Sequence, residues 1–253
     1  MILDQFKLDN KVAIVTGASR GLGKAMAIGL AQAGANVALV ASTSTEEAGN
    51  EIRALGRKAC CIQANLLGKS AVQKIVDTTL KEFGRIDILV NNAGIIRRAS
   101  ILEFSEKDWD DVIQINQRSL FFLSQAAANQ MVKQGQGGKI INIASMLSFQ
   151  GGVRVGAYTA AKSAVMGLTR IMANELASLG INVNAIAPGY MATDNTAPLR
   201  ADAKRNADIL ARIPAGRWGE PEELQGAVVF LASSASDYMH GYTLAIDGGW
   251  LAR

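Results

Sequence analysis

Short apolar runs alternate with helix-like stretches along the whole chain, and this limits its fold more than any other feature. Val12–Thr16, Asn36–Ala41, Lys58–Gln63, Ile86–Val90, Lys139–Ala144, Ile181–Ala187 and Thr243–Asp247 read as buried strands. Between them lie helical stretches at Lys24–Ala33, Thr45–Leu55, Ser70–Phe83, a run opening at Ser105–Trp109, the segment carrying Tyr158 and Lys162, and Pro221–Ala232. Proline opens the last of these, where its missing N–H costs nothing. Strand and helix in strict alternation give an α/β fold with a parallel, doubly wound sheet. Thr196–Ile213 is polar and mixed, and is expected to be a helical insertion beside the site, a lid spanning roughly 190–215.

With 253 residues, 49% hydrophobic and 19% charged, the chain suits one large domain with a substantial core. No repeat, low-complexity tract or linker interrupts it, so residues 1–253 read as a single domain. The net charge of +4 is spread along the chain, which argues against nucleic-acid binding and favours small anions. Cys60 and Cys61 are neighbours on an expected strand and point to opposite faces, so they do not bridge. Two Cys and the single His240 cannot build a structural zinc site, and no metal is expected. The opening residues Met1–Lys7 carry an early acid and no signal-like apolar core. No apolar run is long enough for a bilayer. The expectation is a cytoplasmic protein with no membrane partner.

The first strand runs directly into Gly17-Ala-Ser-Arg-Gly-Leu-Gly23 and then a helix. Strand, glycine turn and helix form the context in which a backbone approaches a pyrophosphate and a helix N-terminus attracts its charge. The spacing is Gly-x-x-x-Gly-x-Gly, not the standard dinucleotide fingerprint, and a plain tight turn fits it as well. An acid at the end of the second strand would hold the adenosine ribose of NAD. None stands there: Ala41 continues into Ser42-Thr-Ser-Thr45, and Glu46 comes too late. Small hydroxyl residues with Arg20 could accept a 2′-phosphate, so the chemistry tolerates NADP and does not demand NAD. Asn91-Asn-Ala-Gly94 follows the fourth strand and falls on the same sheet edge as the glycine turn. Asn116, among Ile113, Ile115, Leu120 and Phe121, is either a satisfied core amide or a positioned functional group.

Ser145 stands at the carboxyl end of the Lys139–Ala144 run, where open α/β sheets place ligands. Tyr158 and Lys162 lie four apart among helix formers and share one face. An ammonium beside a phenol favours the phenolate and is expected to lower its pKa from about 10. A phenol tuned in this way can exchange a proton with a substrate oxygen. Pairs of this kind are also common as a packed ring beside a solvated amine.

Taken together, Thr16-Gly-x-x-x-Gly-Leu-Gly23, Asn91-Asn-Ala-Gly94, Asn116, Ser145, Tyr158-x-x-x-Lys162 and Pro188-Gly189 resemble the short-chain dehydrogenase/reductase family over the whole chain. The resemblance implies a seven-stranded Rossmann-type sheet, a nicotinamide cofactor and a catalytic tetrad of Asn116, Ser145, Tyr158 and Lys162. Cofactor contacts are implied at Gly17, Ser19, Arg20, Gly21, Leu22 and Gly23, and at Ser42, Asn65 and Leu66. They continue at Asn92, Ala93 and Gly94, at Tyr158 and Lys162, and at Pro188, Gly189, Met191 and Thr193. Asn65 replaces the family's usual Asp, leaving an uncharged acceptor for the adenine amine. The cofactor is NAD by family habit, with NADP left open by the missing acid. Within the family the chain is most similar to sugar-acid dehydrogenases, which implies a small polyhydroxylated keto acid as substrate. Ser145, Gln150 and Arg154 are the first candidates to bind it, followed by Arg97, Arg98, Arg200 and Arg253. Gluconate or a β-ketoacyl thioester are alternative substrates, and a cofactor-binding regulator without turnover is the alternative of another class. A homotetramer is the family's usual assembly.

Overall fold

Every apolar run named above becomes a strand in the computed structural model, which describes residues 1–253. The strands are β1 (Val12–Thr16), β2 (Asn36–Ala41), β3 (Ala59–Gln63), β4 (Ile88–Asn91), β5 (Gly138–Ile143), β6 (Ile181–Pro188) and β7 (Thr243–Ile246). The helices are α1 (Gly21–Gln32), α2 (Glu46–Ala54), α3 (Ala71–Phe83), α4 (Glu106–Ile113), α5 (Ser119–Gln134), α6 (Gly156–Leu176), α7 (Ala197–Ala201), α8 (Ala203–Arg212) and α9 (Gln225–Ala232). All seven strands are parallel, in the order β3-β2-β1-β4-β5-β6-β7.

Alternation along each strand sorts the core into two layers. Ala13, Val15, Val37, Leu39, Val90 and Ile141 pack against α1, α2 and α9. Ile14, Ala38, Val40, Leu89, Ile140 and Val183 pack against α3, α5 and α6. Covered on both faces, β1 is buried at every residue, which explains its unbroken apolar run. The strand order reverses between β1 and β4, and the crevice beyond their carboxyl ends is where such sheets take ligands.

The expected boundaries shift where side chains replace ladder bonds. The fourth strand begins at Ile88, not Ile86, because the Gln134 side chain holds both Ile86 N–H and Ile86 C=O at 2.9 Å. The buried Asp87 carboxylate accepts the Val12 N–H at 2.9 Å and the Arg85 guanidinium at 2.6 and 2.8 Å. The Thr196–Ile213 stretch breaks into α7 and α8 at Asp202, whose carboxylate caps α8 through Arg205 N–H at 3.0 Å. The run after Ser105 forms as expected, with its hydroxyl accepting from Asp108 N–H at 3.1 Å.

Candidate active site

The crevice between β1 and β4 is closed at its floor by side chains that stitch the two loops together. Thr16 Oγ1 accepts from Asn92 N–H and Ala93 N–H, each at 3.0 Å. Asn92 Nδ2 donates to the carbonyls of Thr16 at 2.8 Å and Gly17 at 3.2 Å. A Cβ on Gly23 would come within 2.2 Å of the Gly17 oxygen and 2.4 Å of Asn92 Nδ2. Gly23 thus lets the helix start press against the turn. A Cβ on Gly21 would meet only Thr193, at 3.6 Å, so Gly21 faces the gap between the glycine turn and the chain beyond β6. The first turn of α1 has no side-chain cap and no acid, which leaves N–H groups directed at that gap. This cradle fits a dinucleotide pyrophosphate. Gly189 serves a similar close approach: a Cβ there would lie 2.5 Å from Asp247 Cα.

At the adenine end, Ser42, Thr43 and Ser44 are exposed beyond β2. The Asn65 amide oxygen is already engaged by Leu67 N–H at 3.1 Å, so it offers an adenine amine one remaining lone pair. The Leu66 side chain is buried while its carbonyl anchors Ser119 Oγ at 2.9 Å.

Ser145 leaves β5, and Tyr158 and Lys162 project from α6 onto the same place. The Ser145 hydroxyl lies on the side of the Tyr158 phenol and acts to lower its pKa. It also accepts from Leu147 N–H at 3.2 Å. Lys162 is buried, with its Nζ donating to the Ile143 carbonyl and lying 5.7 Å from the centre of the Tyr158 ring. The expected direction of the Tyr158 shift is overturned. Burial raises the phenol above its ordinary value, while the Ser145 hydroxyl and the charge of Arg98 oppose that rise. Burial also lowers Lys162 to about 8. The same desolvation that favours a neutral phenol weakens the ammonium that was to ionise it.

Asn116 sits where the backbone widens into a single π-turn, Gln114–Arg118, between α4 and α5. Its amide clasps one residue: Oδ1 accepts from Ile95 N–H at 2.8 Å, and Nδ2 donates to Ile95 C=O at 2.9 Å. The side chain therefore fixes the loop that follows β4. Sequence reasoning missed the supports of the site. Asn142 Oδ1 accepts from Asn91 Nδ2 at 2.9 Å, and its own Nδ2 donates to Thr169 Oγ1 on α6 at 3.0 Å. Ser148 Oγ donates to the Lys162 carbonyl at 2.6 Å and accepts from Ser145 N–H at 3.2 Å. A lone Asn inside an otherwise apolar strand was the available signal for Asn142.

The candidate arginines separate sharply. Arg97 pairs with Asp108 at 3.1 Å, and Arg253 donates to the Ala211 and Arg212 carbonyls. Arg200 donates to the Thr193 carbonyl at 3.1 Å. Arg154, at φ +65°, lies exposed on the rim and offers its carbonyl to Ala99 N–H at 3.1 Å. Gln150 Oε1 accepts from Arg212 Nη2 at 2.8 Å, and Arg212 stacks over Trp250 at 4.0 Å. Among the candidates only Arg98 has a charge that acts on the Tyr158 phenol.

The arrangement is that of a proton-transfer site beside a dinucleotide cradle, and residues 11–204 match the model of the short chain dehydrogenase family. The chain belongs to that family. It is 61% identical, over the full length of both chains, to the 2-dehydro-3-deoxy-D-gluconate 5-dehydrogenase of Escherichia coli K12. It is 44% identical to the gluconate 5-dehydrogenase of Gluconobacter oxydans, with 97% of this chain and 96% of that one covered. Its fold superposes with TM-score 0.94 on a candidate 2-deoxy-D-gluconate 3-dehydrogenase of Agrobacterium tumefaciens, solved with bound NADP. Identity to that protein is 53%, with 99% of this chain and 100% of that one covered. The chain is thus an NAD(P)-binding oxidoreductase of Rossmann type. No helix is long and apolar enough to cross a membrane.

Proposed function

We propose that the chain interconverts a secondary alcohol and a ketone on a small sugar acid. The best-supported pair is 2-dehydro-3-deoxy-D-gluconate and its 5-oxo product, the hexodiulosonate. The observation that carries the chemistry is the convergence of Ser145 and Tyr158 over buried Lys162 at the mouth of the β1–β4 crevice. Full-length identity of 61% to the E. coli enzyme supports the substrate.

The cofactor, when bound, supplies or accepts a hydride at its nicotinamide. Gly17, Ser19, Arg20, Gly21, Leu22 and Gly23 would hold its pyrophosphate. Ser42, Asn65 and Leu66 would meet its adenosine, and Asn92, Ala93, Gly94, Pro188, Gly189, Met191 and Thr193 would enclose the remainder. In the reducing direction Tyr158 donates its proton to the carbonyl oxygen as that oxygen gains charge. A phenol raised by burial holds this proton at neutral pH. Ser145 hydrogen-bonds the same oxygen. Lys162 keeps a cation behind the phenol, and in oxidation it stabilises the phenolate that takes the alcohol proton. Asn116 fixes the loop carrying Arg98.

Arg98 is our choice for the substrate carboxylate in place of Arg154. It stands on the loop after β4, acts electrically on Tyr158, and reaches toward the Asn195 carbonyl at 3.5 Å. Residues 190–215 would then serve as a lid over the acid. Exposed Phe122, Val132 and Ile171 on α5 and α6, and the open edge of β7, support a homotetramer. Two unpaired half-buried cysteines support a cytoplasmic location.

Gluconate oxidation at C5 is the second reading, favoured by the 44% identity to the Gluconobacter enzyme. Steady-state kinetics with NAD and NADP on 2-dehydro-3-deoxygluconate and on gluconate separates them. The expected result is a higher kcat/KM for the former. Higher kcat/KM on gluconate selects the second reading, and absence of turnover with both acids rejects the catalytic reading.

A further inference from the structure

Arg20, the cation of the glycine turn, does not point freely into solvent. Its Nε lies 3.3 Å from Asp194 Oδ2 on the segment just beyond β6. That segment is also held by its own turn, where Thr196 Oγ1 donates to the Met191 carbonyl at 2.6 Å and Arg200 to the Thr193 carbonyl at 3.1 Å, and by two outside ties, Arg98 to the Asn195 carbonyl at 3.5 Å and Ala192 N–H to the Gly219 carbonyl at 2.7 Å. Across the gap, the glycine turn is pinned beside β2, because Ala18 N–H donates to the Val40 carbonyl at 3.1 Å. The exposed hydroxyls of Ser42, Thr43 and Ser44 follow directly. The nearest acid in chain order, Glu46, is paired with Arg53 at 2.6 Å. Arg20 is therefore the cation between an acid-free adenosine pocket and a carboxylate on the lid.

We propose that Asp194 is a specificity-determining residue for the cofactor: by holding the Arg20 guanidinium against the lid, it competes with the 2′-phosphate of NADP for that cation. This rests on the NAD(P) reading above and names the device that balances the two forms. NAD carries no 2′-phosphate and leaves the Arg20–Asp194 pair intact. NADP must break the pair to recruit Arg20, and so opens one of the ties between the lid and the glycine turn. Both side chains are largely exposed, at 74% and 75%, so the competition is modest. An exposed pair of this kind corresponds to about a 2- to 5-fold change in affinity.

The test is calorimetric titration of the full chain with NAD, NADP, 5′-ADP and 2′,5′-ADP, for the native chain, Asp194→Asn, Arg20→Ala and the double variant. Asp194→Asn keeps the shape of the side chain and removes its charge. The expected result is a 2- to 5-fold tighter Kd for NADP and 2′,5′-ADP, with NAD and 5′-ADP unchanged. The gain should vanish in the Arg20→Ala background. Equal changes for phosphorylated and unphosphorylated ligands, no change at all, or a gain that survives Arg20→Ala overturns the inference while leaving the oxidoreductase reading intact. If the native chain binds none of the four ligands, that reading falls and takes the inference with it.

Discussion

Tyr158 and Lys162 are governed by the same desolvation, and it acts on them in opposite senses. The phenol is raised and the amine lowered to about 8. Tyr158→Phe removes the transferable proton and leaves the ring, so kcat should fall by about 10²–10⁴-fold while the Kd for NAD, read by fluorescence, stays near native. Arg98 opposes the rise of the Tyr158 pKa. Arg98→Ala should therefore move the acid-side limb of the oxidation rate, where activity rises as Tyr158 ionises, to higher pH. If Arg98 also binds the substrate carboxylate, KM for the acid should rise by about 10- to 100-fold, as loss of a charged hydrogen bond implies. For Lys162 the sign concerns stability. Its folded pKa of about 8 lies below the ordinary 10.5, so between these values the unfolded chain binds more protons. Stability from this residue must rise with pH across that window. The unfolding free energy of the native chain, relative to Lys162→Met, should gain about 2 kcal/mol between pH 7 and pH 10 by urea titration.

At the scale of elements, the site depends on how α6 is set against β5. Asn142 ties Asn91 on β4 to Thr169 on α6, and Asn91 also donates to Ser124 on α5 at 2.8 Å. Removing Asn142 leaves a buried Asn91 N–H without its acceptor. Asn142→Ala should cost about 2–3 kcal/mol and lower the melting temperature by about 5–10 °C. The strands and most helices were legible because β1, β2 and β4–β6 are buried on both faces and carry dense apolar runs. Ser145, Tyr158 and Lys162 were legible for another reason: the end of a strand and a four-residue helical spacing can be read locally. What could not be read was which partner the folded chain would bring to each side chain. Gln134 trimmed β4, Ile95 absorbed the amide of Asn116, and Asp108, Thr193 and Ala211 claimed three of the candidate arginines. The Tyr158 direction was misjudged because a four-residue spacing reports proximity and says nothing of desolvation.

Across the whole molecule, α5 and α6 leave Phe122, Val132 and Ile171 exposed, the side chains on which the proposed assembly rests. If these helices carry the proposed subunit contact, Ile171→Glu should lower the native mass seen by light scattering relative to the native chain, while the circular dichroism of the fold persists. The sheet order carries a different consequence. Strand β2 lies close to β1 in sequence, but the partner of the other β1 edge is β4, and the Val12–Asp87 bond that closes them spans 75 positions. During translation the nascent chain must carry that raw hydrogen-bonding edge until most of its first hundred residues have left the ribosome. Pairing so remote in sequence is slow, and an edge so long unpaired invites association with neighbouring chains. A chaperone-depleted synthesis should lose this protein to inclusion bodies at the stage of its amino-terminal half, before the catalytic helix has been made.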